Sequence, residues 1–284
     1  MDGGKVFSRR AIFNLVLLVA LHAFRILPQL TSASRAASRP HGNTTCNTIL
    51  TSGSIMKVIL TGCTGFTGGE VLEQCIQHPS ITSVVVLSRR QLPASVASNP
   101  KVQVVIMDDF LSYNDDTLRA IEGADACIWS LGKPGMAGAM DNATVKKVHV
   151  DYPMATARAI TEQRKAAAAP NHKFRFICLT GLCVTRDQNK PLWIMQDYLR
   201  IRGQVENELL AHAKENSSFF ESYIFRPAFI LPKQSTWKSM FLQLAPSVRV
   251  DALGKLMVET ALNGYKADTW EHSDIVEAAK KIQA

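Results

Sequence analysis

Three glycines spaced three apart, Gly62, Gly65 and Gly68, lie in the segment VILTGCTGFTGGEVLEQCI, between an apolar run ending at Thr61 and a helix-like run starting near Thr67. A turn of this kind can hold an anion. Gly62 permits the tight turn, Gly65 lets the backbone approach a pyrophosphate, and Gly68 lets the helix pack close to the strand. The unpaired N–H groups at the helix start then face the phosphate. Small-residue turns also occur in loops for packing reasons alone. The strand before, the helix after and a second strand beyond select the dinucleotide reading here. Ser88, Arg89 and Arg90 stand at the end of that second strand. NAD-type sites commonly place a carboxylate there for the ribose 2′-hydroxyl, whereas two guanidiniums suit a 2′-phosphate through charge-assisted, often bidentate bonds. The residues therefore predict NADP(H), held by Gly62, Thr64, Gly65, Phe66, Thr67, Gly68, Arg89 and Arg90, with a solvated basic turn as the alternative for the arginine pair.

The elements that must position this turn are legible as alternating apolar and amphipathic runs. Strand-like runs cover Lys57 to Thr61, Ser83 to Leu87, Val102 to Met107, Ala126 to Ser130, Phe174 to Thr180 and Ser222 to Phe225. Their continuous apolarity is what a strand covered by helices on both faces requires. Helix-like runs cover Thr67 to His78, Asp116 to Glu122, Asn142 to Lys165, Ile194 to Lys214, Ser247 to Asn263 and Ser273 to Ile282. The pattern predicts an α/β protein, a doubly wound parallel sheet (Rossmann fold) of about six or seven strands with helices on both faces. Leu131 and Gly132 follow the fourth strand, where a switch-point sheet lines its cofactor crevice.

From Met56 to the last helix the chain resembles an atypical short-chain dehydrogenase/reductase, and most closely the HIV Tat-interacting oxidoreductase group. The resemblance rests on TGCTGFTGG, LSRR after the second strand, MDDF after the third, WSLGKPGMAG after the fourth, YLRIRGQVE at 198–206 and FRPAFIL at 225–231. It implies hydride transfer between a nicotinamide and a carbonyl, with a tyrosine as proton donor, a lysine four residues later and a Ser or Thr near the end of the fifth strand. Tyr198 matches the tyrosine, Thr180 the hydroxyl residue, and Arg202 stands where the family has lysine. Four residues on a helix put Tyr198 and Arg202 on one face, so the cation can stabilise a tyrosinate. An ordinary surface Tyr/Arg contact has the same spacing, and arginine is not a conservative replacement for a compact ammonium. The resemblance also matches Asp109, or its neighbour Asp108, to an acid that contacts adenine, and Arg226-Pro227 to a turn beside the substrate pocket.

Trp193, Met195, Phe229, Trp237, Met240 and Phe241 fall in segments that would cover the nicotinamide end, and predict a small apolar carbonyl or alcohol as substrate, in a metabolic or secondary-metabolite pathway. These side chains equally suit a core. Two function classes follow: an NADPH-dependent oxidoreductase, and an NADP(H)-binding regulatory or membrane-surface protein with little catalysis.

Composition narrows the classes further. Six basic residues against one acid place +5 of the chain's +8 in residues 1–55, leaving too little elsewhere for nucleic-acid binding. The six cysteines have no metal-like or CxxC spacing, which suits a reducing compartment and no metal. Residues 1–55 read as a leader or membrane anchor with a flexible linker, and residues 56–284 as the cofactor domain. The apolar stretch within 11–27 is shorter than the about 20 residues a span needs. It predicts membrane association or a cleaved leader, hence the cytoplasmic face of a membrane or a mitochondrion. A start at Met56 would give a cytoplasmic protein. The predicted assembly is a monomer or dimer.

Overall fold

The computed structural model describes residues 56–132, 141–167, 172–234 and 245–283. The expected leader in 1–55, together with Trp237, Met240 and Phe241, lies outside the described residues. Strands β1 (Met56–Thr61), β2 (Ile81–Ser88), β3 (Val102–Ile106), β4 (Ala126–Trp129), β5 (Phe174–Leu179), β6 (Phe220–Phe225) and β9 (Thr269–Trp270) form one sheet in the order β3-β2-β1-β4-β5-β6-β9. All neighbours run parallel. Side chains alternate between two apolar layers: Val58, Leu60, Ile128 and Ile177 face one, and Ile59, Cys127, Trp129 and Phe176 the other. The first layer is closed by α1 (Phe66–Gln77), α7 (Val250–Asn263) and α8 (His272–Gln283). The second is closed by α3 (Asp115–Ile121), α5 (Tyr152–Ala166) and α6 (Gln196–Glu215). Burial on both faces explains why the strands read as unbroken apolar runs. This is the doubly wound α/β fold that the sequence pattern predicts.

Three elements depart from the sequence pattern. The run Asn142 to Lys165 is not one helix: α4 (Asn142–Lys146) leads through a π turn, Lys147–Asp151, into α5. Pro153 has no N–H to give the carbonyl of His149, and the ring widens so that the Tyr152 N–H bonds to the Lys147 carbonyl. Second, Ser247–Arg249 is not the start of a helix but strand β8, paired with β7 (Phe229–Leu231) in a separate two-stranded parallel ribbon. Third, a short helix, α2 (Ala94–Ala97), absent from the helix-like runs, lies between β2 and β3.

Helix α6 is anchored to the carboxyl ends of β5 and β6 by a fully buried carboxylate, Glu206. It accepts hydrogen bonds from the Thr180 hydroxyl (2.7 Å), Arg186 Nε (2.9 Å) and Arg226 Nε (3.0 Å), and Arg226 Nη2 completes a fork onto it. Arg226 also reaches Glu271 at 3.0 Å. Burial alone would lower its pKa; the hydrogen bonds and negative charges of Glu206 and Glu271 outweigh that and leave it raised. Gly203 makes the close approach possible, since a Cβ there would lie 1.5 Å from the Thr185 carbonyl oxygen. Glu206→Ala strands Arg226 without its buried partner. We expect a loss of about 3–5 kcal/mol in urea unfolding; a loss under about 1 kcal/mol would show that the cluster does not hold α6.

Candidate functional site

The sheet reverses its order between β1 and β4, and the glycine turn sits at that point. Gly62 has φ +74°, and a Cβ there would lie 2.6 Å from the carbonyl oxygen of Ser130. The Gly65 N–H bonds back to the Gly62 carbonyl at 2.8 Å, closing the turn. A Cβ on Gly68 would come within 2.2 Å of the Gly62 oxygen and 2.7 Å of Ser130 Oγ. Ser130 Oγ itself donates to the Thr61 carbonyl at 2.6 Å, pinning the ends of β1 and β4 together. Backbone thus packs on backbone at this corner. Helix α1 begins there with Gly65 at its N-cap, no side-chain cap and no acid in its first turn, so its first N–H groups are left for an anion. Thr64 and Phe66 are exposed on the turn, and Thr67 and Gly68 are buried beneath it.

One narrow cleft is lined by Gly62, Thr64, Leu87, Ser88, Arg89, Arg90, Phe110 and Leu131. The cleft therefore brings together Gly62 and Thr64 of the turn, the arginine pair and Leu131. Both arginines are exposed. The Ser88 hydroxyl donates to the Arg90 carbonyl at 2.7 Å and accepts from its N–H at 3.2 Å, shaping the backbone that carries them. No carboxylate occupies the end of β2, and the bare turn would be filled by any added Cβ; both features fit a phosphorylated dinucleotide. A wider hollow of about 590 Å³, between the end of α6 and Tyr265, contains none of these residues.

Asp109 lies apart from that cleft lining. Its Oδ2 pairs with Lys147 at 2.8 Å and its Oδ1 accepts the Leu111 N–H at 3.1 Å. The Lys147 hydrogen bond first, and the Leu111 N–H second, lower its pKa. Asp108 is exposed.

Tyr198 and Arg202 meet on α6 as their spacing predicts. Arg202 Nη1 donates to the Tyr198 hydroxyl at 3.0 Å, and Nη2 donates to the carbonyl of Leu179, the last residue of β5, at 2.9 Å. The guanidinium also lies 5.7 Å from the phenol ring centre. Thr180 follows directly, but its hydroxyl hydrogen is committed to the Glu206 cluster. The pair and Thr180 are thus neighbours in the chain of contacts without the hydroxyl being given to Tyr198.

Sequence reasoning missed three contributors. Ser130 could have been found from its place at the end of the fourth strand. Glu206 carried a signal too, as a carboxylate on the buried face of α6. His149 carried little beyond the proline four residues on. Its ring sits edge-to-face on Tyr198, centroids 5.6 Å apart, and directly under Gly132, where a Cβ would lie 2.9 Å from His149 Cε1.

An open parallel sheet whose glycine turn and basic cleft meet at the switch point defines a dinucleotide-binding α/β protein. The family described as NAD(P)H-binding matches residues 62–243, and the chain belongs to it. This agrees with the resemblance to the atypical short-chain dehydrogenases/reductases that the motifs carry. Among curated relatives, the leucinostatins biosynthesis cluster protein T of Purpureocillium lilacinum is 37% identical over 192 residues, covering 62% of this chain and 65% of that one. This chain thus spans just under two thirds of that relative's length. Protein FMP52, mitochondrial, of Eremothecium gossypii is 27% identical over 214 residues, 74% of this chain and 82% of that one. Among solved structures, the PhqB reductase domain of Penicillium fellutanum superposes with a TM-score of 0.53 at 17% identity, covering 88% of this chain and 74% of that one. Among the described residues no helix is long and apolar enough to cross a membrane.

The corner at Gly68 has no room for a methyl group. Gly68→Ala should distort the turn and weaken NAD(P)H binding by about 1–3 kcal/mol, the order of an overpacking cost, read as a rise in Kd in a nicotinamide fluorescence titration. Unchanged binding would place the anion elsewhere.

Proposed function

We propose that the protein is an NADPH-dependent oxidoreductase acting on a small apolar carbonyl or alcohol, in secondary metabolism. The observation that carries this reading is the 3.0 Å bond from Arg202 to the Tyr198 hydroxyl, held at the carboxyl end of β5 by the second bond to Leu179. In this reading the cofactor, once bound, supplies or accepts a hydride. Gly62, Thr64, Gly65, Phe66, Thr67 and Gly68 hold its pyrophosphate, Arg89 and Arg90 its 2′-phosphate, and Leu131 and Gly132 border the crevice, with Asp109 at its adenine side.

Tyr198 gives its proton to the substrate oxygen as negative charge develops there. The phenolate left behind lies against the Arg202 guanidinium, which stabilises it electrostatically. Trp193, 90% exposed, and Met195, held at φ +52°, stand on the approach to α6 just before Tyr198. A non-glycine residue in the left-handed region costs on the order of 1–3 kcal/mol, a strain that clusters at functional sites. Trp193 and Met195 supply an apolar wall for the substrate. The relative named for a leucinostatins biosynthesis cluster supports the metabolic setting, and the relatives named as mitochondrial support placement in that organelle.

One observation favours a second reading. With arginine in the ammonium's place and the Thr180 hydroxyl committed to Glu206, the site has fewer groups free to polarise a carbonyl. A protein that binds NADP(H) as a regulatory switch would look like this. Purified protein mixed with NADPH and a panel of apolar aldehydes and ketones separates the two. We expect NADPH oxidation that falls about 10²- to 10⁴-fold in kcat for Tyr198→Phe. Tight binding with no consumption of NADPH on any member of the panel would favour the switch.

Cofactor choice has its own test. Arg89→Ala and Arg90→Ala should each weaken NADPH binding by about 1.5–3 kcal/mol, the worth of a hydrogen bond to a charged group, while leaving NADH binding nearly unchanged. Equal losses for the two cofactors would assign the arginines to a general basic turn.

A further inference from the structure

His149 is absorbed by none of the roles above, yet it occupies the space between the two halves of the site. It lies in the π turn Lys147–Asp151 and is buried. One side of its ring meets the backbone after β4, where Gly132 leaves room for it: a Cβ at 132 would stand 2.9 Å from Cε1 and 3.4 Å from Nδ1. Another side meets the Tyr198 phenol at 5.6 Å with the rings 88° apart. Arg202 holds the same phenol at its hydroxyl and over its face. The phenol is therefore fixed from two directions, one of them through His149 against the crevice wall.

We propose that His149 is a positioning residue, a wedge whose ring sets the separation between the Gly132 backbone and the Tyr198 hydroxyl. The inference rests on Tyr198 being the proton donor. The π turn is the device that makes the wedge possible. His149 lies within this widened turn, which the Tyr152 N–H closes onto the Lys147 carbonyl. Gly132 is then required by His149, in addition to its place in the cofactor crevice. Positioning of this kind acts on rate far more than on affinity, because a displacement of about 1 Å of a reacting group can cost about 10²-fold in turnover.

The test compares His149→Ala with His149→Phe in the full chain, measuring kcat and KM for the best carbonyl of the panel and Kd for NADPH by fluorescence. Loss of the wedge in His149→Ala should lower kcat about 10- to 100-fold with Kd for NADPH unchanged. A phenyl ring fills the same place, so His149→Phe should stay within a few-fold of the parent enzyme. His149→Phe falling as far as His149→Ala overturns the wedge and assigns the work to the ring nitrogens. Unchanged kcat in His149→Ala overturns any role. Should His149→Ala fail to fold, Gly132→Ala serves instead. Its methyl group collides with the imidazole, so kcat should fall, and a Gly132→Ala protein with kcat at the parent level overturns the proposal. A parent protein that binds NADPH and turns over nothing sinks the oxidoreductase reading and the wedge with it, whereas an active parent with an active His149→Ala sinks the wedge alone.

Discussion

The structure depends on backbone meeting backbone where β1 ends beside β4. Gly62 and Gly68 have no side chains at the one corner where a Cβ on either would lie well inside van der Waals distance of a carbonyl oxygen. That closeness lets α1 start directly over the strand ends, and it leaves the first N–H groups of the helix bare. The uncapped helix start is a consequence of the packing. The Ser130 hydroxyl on the Thr61 carbonyl holds the corner shut from the β4 side. Around it the cleft to Arg89 and Arg90 follows from strand order alone, because β2 is the neighbour of β1 on the other side.

The second half of the site is carried by α6. Glu206 fastens the helix to the loop after β5 and to Arg226 after β6, and Arg202 fastens it to the last carbonyl of β5. Tyr198 is thereby placed by bonds on the turns of α6 that follow it, while its own ring is steadied from the π turn. Buried charge of this kind contributes little to net stability compared with an apolar alternative, but it is geometrically exacting, since removing one partner leaves the other uncompensated. The Glu206 cluster therefore serves more to place α6 than to strengthen the core. It also takes the Thr180 hydroxyl, the group that the resemblance sets near the end of the fifth strand.

The main features legible in the sequence were those set by local chemistry. Glycines at fixed spacing between a strand and a helix, arginines at the end of β2, and apolar runs buried on both faces are properties of short segments, and six of the seven strands of the sheet were read from them. Tyr198 and Arg202 meet because residues four apart on any helix do. The strands that sequence left out are those whose existence depends on a distant partner. The β9 strand is two residues long and exists because β6 offers it an edge, and Ser247–Arg249 is a strand because Phe229–Leu231 lies beside it. Pro153 was a local signal for the break in the long helix, and it was visible.

By itself, then, the sequence determined the fold class, the glycine turn and its basic neighbour, because each is a matter of backbone freedom or charge within a few residues. Tertiary structure alone decided that Thr180 serves Glu206, that Asp109 pairs with Lys147, and that His149 stands between Gly132 and Tyr198. Each of these joins segments far apart in the chain. A side chain's partner is set by which surfaces the packed sheet brings within a few ångströms, and no spacing along the chain encodes that distance.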